Sequence, residues 1–287
     1  MSFLEVKNLT YTYSKNTPFF NDAVEDVSFS VEKGEILAIV GHTGSGKSTL
    51  VQHLNGLIKP TKGEILFCGQ NIWNNEKNIS SIRSKIGLVF QYPEYQLFEE
   101  TVFKDIAFGP KNLGFSEQEI NESVLNSAKL VGISQEYFNK SPFDLSGGEK
   151  RRVAIAGVLA MKPQVIIFDE PTAGLDPIGR NNILNIIKNY KKEHNATVIM
   201  VTHSMEDVAL LADKVLVMNN GKKAMFGTPK EIFSDRNKLL SVGLDVPLIT
   251  NVLLKLNELG FNFESNIITV DEAVNAIINC KGGADNA

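Results

Sequence analysis

The sequence predicts an α/β fold built on a parallel sheet, and three observations carry that reading. Short apolar runs, "ILAIV", "QVIIF" and "ATVIMV", have the length and composition of strands buried on both faces. Helical patterns separate them along the chain. One run, bounded by Gly34 and Gly41, leads straight into the glycine-rich stretch "GHTGSGKST".

The elements follow in order. "FLEVKNLTYTY" alternates as a strand, and "AVEDVSFSVEKGE" reads as a second. After the glycine-rich loop, "KSTLVQHLNGLI" reads as a helix ending near Gly56. "GEILFCG" is a strand between glycines, and "KIGLVF" is a strand ending at Gln91. From about 92 to 160 the pattern is mostly helical, which predicts a helical subdomain inserted into the α/β core. Within it, "SEQE" at Ser116 to Glu119 has the form of a capping box. The alternation then resumes with "QVIIF", a helix from Pro177, "ATVIMV", and the helix "SMEDVALLAD". "KVLVMNNGKKAMFG" is a hairpin turning at Asn-Gly. "TPKEIF" is a short helix capped by Thr228 with Pro229 at its first position. Residues 1–235 form the main domain in this reading, and 236–287 an extension with two amphipathic helices and a tail, "KGGADNA", expected to fray.

Bulk properties narrow the classes. The chain has 287 residues, 43% hydrophobic and 22% charged, which suits a globular core. A net charge of −4 argues against a general nucleic-acid binder. Cys68 and Cys280 form no ligand pattern, and no disulfide between them is expected. No signal peptide is expected at "MSFLEVKNLT". The apolar runs fall far short of the ~18 residues of a membrane span, so any membrane role goes through a partner.

"GHTGSGKS" fits the phosphate-loop pattern G-x-x-x-x-G-K-[ST], with a strand before it and a helix after. Gly41, His42, Thr43, Gly44, Ser45 and Gly46 would wrap a triphosphate, with His42 at a variable position. Lys47 supplies charge to the β- and γ-phosphates. The Ser48 hydroxyl suits Mg²⁺, and Thr49 the α-phosphate. "VIIFDEP" ends a buried strand in two carboxylates. Asp169 suits Mg²⁺ beside Ser48, and Glu170 would polarise the attacking water. His203 ends another strand, where it would meet the γ-phosphate. Gln91, also at a strand end, could hold Mg²⁺ or the attacking water. "LSGGEKRR" reads as a second anion-binding helix start, its glycines letting the backbone turn and its N–H groups pointing outward.

Taken together, "GHTGSGKST", Gln91, "LSGGEKRR", "VIIFDEP", "AGLDP" and His203 resemble an ABC-type ATPase over about residues 1–235. That resemblance implies a P-loop NTPase, RecA-like core with an antiparallel β subdomain and an inserted helical subdomain. It implies that Tyr13 stacks on adenine, with Tyr11 as the alternative. Gln91 would link the nucleotide to the helical subdomain, and Asp176 would lie along a dimer seam. Two subunits would sit head to tail, so that Ser146, Gly147, Gly148 and Glu149 of one close over ATP held by the other. That explains why one chain carries two phosphate-type loops.

No heptads suggest a chromosome ATPase, and a single cassette departs from translation-type ABC proteins. A transporter subunit fits. "FQYPEYQLFEETVFKDIAFGPKNLG", Phe90 to Gly114, resembles the second ATPase type of energy-coupling factor transporters, importers of vitamins and transition-metal ions. The alternative is the ATPase of a conventional ABC importer. The family resemblance implies a peripheral protein on the cytoplasmic face of the cell membrane, paired with a second, related ATPase. It implies a transmembrane scaffold bound through about residues 91–100, and interchangeable substrate-binding membrane subunits. Tyr92, Tyr95, Leu97 and Phe98 would give the scaffold groove an apolar surface, and Glu94, Glu99 and Glu100 its negative charge. In the extension, Leu248, Val252, Leu256 and Leu259 would either hold two ATPases together or pack on their own core.

Overall fold

The computed structural model describes residues 2–13, 21–74 and 79–282. Two long strands come first, β1 (Leu4–Tyr13) and β2 (Asn21–Val31), paired antiparallel. Leu4, Val6 and Leu9 of β1 are buried, and the alternation breaks at Lys7 and Asn8, both exposed, where the register shifts and Asn8 has φ 48°. β3 (Ile36–Val40) is buried at every position. It runs through the phosphate loop into α1 (Lys47–Leu54), which stops slightly short of the expected Gly56. Asn55 ends it, with its side-chain amide donating to the Ile86 carbonyl, and Gly56 turns away at φ 72°. β4 (Lys62–Phe67) and β5 (Gln70–Asn71) then complete a four-stranded sheet in the order β2-β1-β4-β5.

A short helix, α2 (Ile79–Lys85), precedes β6 (Ile86–Val89). α2 buries no residue, so it has no apolar stripe that periodicity could detect. The helical subdomain consists of α3 (Val102–Asn112), α4 (Glu117–Leu130) and α5 (Gly147–Leu159). It begins later than expected, because 92–101 is a 3₁₀ turn over Pro93–Gln96 followed by irregular backbone. The Ser116–Glu119 capping box is present at the start of α4.

The core resumes with β7 (Val165–Asp169), α6 (Pro177–His194), β8 (Thr197–Val201), α7 (Met205–Leu211), β9 (Lys214–Asn219) and β10 (Lys222–Gly227). Asn220 and Gly221 both have positive φ, as a tight hairpin turn requires. The second sheet has the order β10-β9-β3-β8-β7-β6 and is parallel apart from the β9–β10 pair. The carboxyl ends of β3, β6, β7 and β8 therefore converge on one edge. The phosphate loop, Gln91, Glu170 and His203 all follow those ends, where an open α/β sheet binds its ligands.

α8 (Pro229–Ser234), capped by Thr228 as expected, precedes the extension, which contains α9 (Arg236–Ser241), α10 (Leu248–Glu258) and α11 (Val270–Gly282). Leu239, Val246 and Ile268 join a buried cluster with Val208 and Val215 of the core. Leu248, Val252 and Leu259 remain exposed, while Leu256 is half-buried against Leu253. The extension thus anchors to its own core and still presents apolar side chains outward. Cys68 is a free thiol. The Cys280 side chain and tail residues 283–287 lie outside the described residues, and with them the expectations of no disulfide and a frayed tail.

Glu272 ties α11 to α8. Its carboxylate accepts from the Ile268 and Thr269 N–H groups at 3.0 and 3.2 Å and from Lys230 Nζ at 2.8 Å. Burial opposes ionisation, but these bonds together outweigh it and bring the carboxyl down to about 2. Its folded value lies below the ordinary 4.5, so its stabilising contribution is present above that value. It fades as pH falls from about 4.5 toward 2. Hydrogen-exchange protection of α11 is expected to drop across that window in the wild type. Glu272→Gln should show lower protection throughout with no step there.

Candidate active site

The phosphate loop is shaped by backbone that only glycine tolerates. Gly41 has φ 154° and Gly46 φ 98°. A Cβ on the first would strike the Met218 carbonyl, and on the second the Ala23 carbonyl. The β9–β10 turn closes the loop from outside: the Gly221 N–H donates to the Ser45 carbonyl at 3.1 Å. His42 makes a second tie, with Nε2 3.0 Å from Asn219 Oδ1 and Nδ1 2.8 Å from the Thr43 carbonyl. The His42 ring thus clamps the loop to the hairpin.

Lys47 is buried, and its ammonium donates to the Gly41 and His42 carbonyls at 2.8 and 3.0 Å. Burial lowers its pKa, while the charges of Glu170 and Asp169 pull it back up. Thr49 Oγ1 lies 3.4 Å from the Tyr13 hydroxyl. Tyr13, Gly44, Lys47, Thr49 and Asn220 line a cleft of about 430 Å³. Tyr13 borders that cleft, whereas Tyr11 packs edge-on against buried His53, with ring centroids 4.7 Å apart.

Asp169 ends β7 with Ser48 near its carboxyl. Burial pushes its carboxyl above the usual range, and neighbouring Glu170 adds to that, against Lys47 and the Ser48 hydroxyl. Glu170 has φ 51°, a strained value for a residue with a side chain. Its N–H donates to the Val201 carbonyl at 3.0 Å. One carboxylate oxygen accepts from Gln91 Nε2 at 2.7 Å, and the other lies 2.6 Å from His203 Nε2. Gln91, Glu170 and His203, from three separate strand ends, thus form one chain of contacts. The Gln91 amide nitrogen is engaged with Glu170, so only its carbonyl oxygen is left to meet a cation.

The second loop differs from its expected geometry. Gly147 and Gly148 are the first helical residues of α5, with ordinary negative φ, and a Cβ on Gly147 would meet nothing. The chain's own turn does not need glycine here; the side-chain-free surface is open to approach from outside. Ser146 and Glu149 form a capping box: the Ser146 hydroxyl and N–H both donate to Glu149 Oε2, at 2.6 and 2.9 Å. Glu149 is therefore committed to the helix start, which leaves the exposed Gly147 and Gly148 N–H groups as the outward donors. None of Ser146, Gly147 or Gly148 lines the cleft around Lys47. Asp176 caps α6, accepting from the Gly179 N–H at 2.7 Å.

Arg151 went unnoticed in the sequence. It is buried, forks onto Glu94 at 2.9 and 2.8 Å, and donates to the Ala173 carbonyl at 2.9 Å. Its guanidinium also lies 5.6 Å from the Tyr92 ring. It joins the segment after Gln91, the second loop and the "AGLD" segment. This changes the part of Glu94 in the expected groove. Glu94 is internally paired, Leu97 is core, and Glu100 bonds Lys104 at 2.5 Å. What stays open is an apolar groove of about 400 Å³ lined by Leu57, Phe90, Phe98, Phe108, Leu113 and Met161, with Tyr95 beside it 84% exposed.

Comparison with known proteins agrees with this geometry. The ABC transporter family matches residues 24–173. The energy-coupling factor transporter ATP-binding protein EcfA2 of Clostridium tetani is 55% identical over 271 residues, 94% of each chain. The protein of the same name in Caldanaerobacter subterraneus subsp. tengcongensis is 50% identical over 99% of each. The structure of cbiO1 from Clostridium perfringens, described as part of the ABC transporter complex cbiONQ, matches with TM-score 0.76 and 40% identity, over 90% of this chain and 97% of that one. The cassette MJ0796, bound to ADP and Pi in a post-hydrolysis state, matches with TM-score 0.70 and 29% identity, over 79% and 98%.

The fold and site are those of an ABC ATPase, and the chain belongs to the ABC transporter family. Within it, the chain is an ATP-binding subunit of an energy-coupling factor transporter, coupling ATP hydrolysis to transport.

Proposed function

We propose that this chain supplies half of each of two composite ATP sites in a dimer with a second, related ATPase. Tyr13 stacks on adenine, and residues 41–49 hold the triphosphate. Ser48, Asp169 and the Gln91 carbonyl oxygen suit Mg²⁺: all offer hard oxygen donors, and Ser48 already acts on the Asp169 carboxyl from nearby. When bound there, the ion would neutralise charge on the β- and γ-phosphates. Glu170 draws a proton from the attacking water, and His203 holds Glu170 and meets the γ-phosphate. Ser146, Gly147 and Gly148 close on the partner's nucleotide. The observation that carries this reading is the Gln91–Glu170–His203 chain, whose Glu170 lies near enough to Lys47 for its charge to raise the Lys47 pKa.

No helix among the described residues is long and apolar enough to cross a membrane. We propose attachment on the cytoplasmic face through the apolar groove, which receives a helix of a transmembrane scaffold. Tyr95 and Phe98 act as aromatic anchors. Substrate-binding membrane subunits on that scaffold select a vitamin or a transition-metal ion.

The test is to purify the tagged chain from detergent-solubilised membranes. A second ATPase, a scaffold and small membrane proteins should accompany the wild type, and a conventional permease pair would overturn the reading. Tyr95→Ala with Phe98→Ala should lower scaffold recovery at least tenfold while sparing ATP binding, two anchors being worth over ~1.4 kcal/mol together. Undiminished recovery would refute the groove assignment. Glu94 is left intact in this variant because its loss would disturb Arg151.

A further inference from the structure

Asp207 on α7 is wholly buried, and a buried carboxylate is tolerated only with charge and hydrogen-bond partners. Its partners come from other elements. Arg180 of α6 lies 2.5 Å from Oδ1, and Thr172 Oγ1 donates to Oδ2 at 3.0 Å. The Asp207 N–H donates to Ser204 Oγ at 3.1 Å, and Arg180 donates to the same oxygen at 3.2 Å. The Ser204 N–H in turn donates to Thr202 Oγ1 at 3.0 Å. The carboxylate thus joins the turn after β7 to the first turn of α6, while Ser204, the cap of α7 in the loop after β8, is held by the Asp207 N–H and by Arg180.

Each of those segments sits next to the hydrolytic chain of contacts. Thr172 lies two residues past Glu170, and Ser204 directly follows His203. Among the described residues, no hydrogen bond joins Asp207 to Glu170 or to His203, so any influence travels through backbone.

We propose that Asp207, with Arg180 and Thr172, is a positioning device that holds Glu170 against His203. The proposal rests on the roles given above for those two residues. Glu170 occupies a backbone region that persists only when its surroundings over-determine it. The Val201 carbonyl restrains it on one side, and the Thr172–Asp207 bond restrains the chain just beyond it. The Glu170–His203 contact of 2.6 Å has little tolerance, because a misplacement of ~1 Å can cost about 10²-fold in rate. No residue of the phosphate loop takes part, so the contacts of residues 41–49 with the triphosphate do not depend on the device.

Asp207→Asn would leave Arg180 without its counter-charge and risks misfolding, so the informative variant is Thr172→Val. It is close to isosteric, removes only the hydroxyl at a half-buried site, and leaves the buried pair in place. ATP hydrolysis is measured in the transporter complex purified through a tag on the full chain. Thr172→Val is expected to lower kcat on the order of 10- to 100-fold with KM for ATP unchanged. Thr172→Ser, which keeps the hydroxyl, recovers most of the rate. Wild-type turnover in Thr172→Val alongside an inactive Glu170→Gln would overturn the proposal alone. So would a change in KM without one in kcat, or a Thr172→Ser as slow as the valine. Wild-type turnover in Glu170→Gln would overturn the reading of the site and the proposal with it.

Discussion

Glu170→Gln in the assembled transporter is expected to lower ATP turnover by about 10²- to 10⁴-fold while leaving ATP affinity within about twofold of wild type. The substitution keeps the side chain's shape and its bonding capacity toward Gln91 and His203, and it removes the charge that would take the proton from water. The triphosphate contacts lie elsewhere, in residues 41–49. Lys47, whose pKa Glu170 helps to hold up, keeps Asp169 as a second negative neighbour. Single-turnover hydrolysis and binding of a fluorescent ATP analogue separate the two quantities. Comparable turnover in mutant and wild type would remove Glu170 as the base. Tighter ATP-dependent association of the two ATPases is a further expected result, since the bound γ-phosphate then persists as the link between them.

Arg151→Met is expected to destabilise the protein by about 3–5 kcal/mol, the largest effect on stability foreseen here. Arg151 is 4% exposed, and its fork satisfies both Glu94 oxygens while a further N–H serves the Ala173 carbonyl. Methionine fills much of the space and satisfies none of these groups. Glu94 feels two opposed effects. Burial acts to raise its carboxyl pKa, and the bonds from Arg151 reverse that and hold it low. Its folded value is depressed, so the pair's contribution is complete above the ordinary 4.5 and disappears as pH falls below it. In Arg151→Met burial is opposed only by the backbone hydrogen bond at Glu94, and the variant's deficit should narrow on mild acidification as Glu94 takes up a proton. Thermal unfolding of the single variants and of Arg151→Met/Glu94→Gln measures the coupling. The double variant should recover part of the loss, because no unpaired charge is left buried. Additive losses would show that the fork contributes nothing as a pair.

Local signals in the chain were reliable where the physics is local. The phosphate loop was legible because its glycines are demanded by backbone geometry at Gly41 and Gly46, within a few residues of the strand and helix that frame it. The capping box at Ser116, the Thr228 cap and the Asn-Gly turn were legible for the same reason. α2 was not, because it buries nothing and leaves no periodic stripe. The Glu94–Arg151 pair was not legible, because the two lie 57 residues apart and no spacing rule announces a pair of that kind. Nor were the ties of the His42 ring to Asn219 and of Glu149 to the Ser146 cap, which a place in a motif does not reveal.

By itself, the sequence determined the α/β class, the phosphate loop, the strand-end carboxylates and the absence of a candidate membrane span, since each depends on residues close together in the chain. The tertiary structure alone decided that Gln91, Glu170 and His203 meet, that Arg151 neutralises Glu94, and that Asp207 sits between Arg180 and Thr172. Those contacts depend on strand order, which brings β7 between β6 and β8. Hydrogen bonds and ion pairs act over about 3 Å, and only the folded sheet sets distances between residues so far apart in sequence.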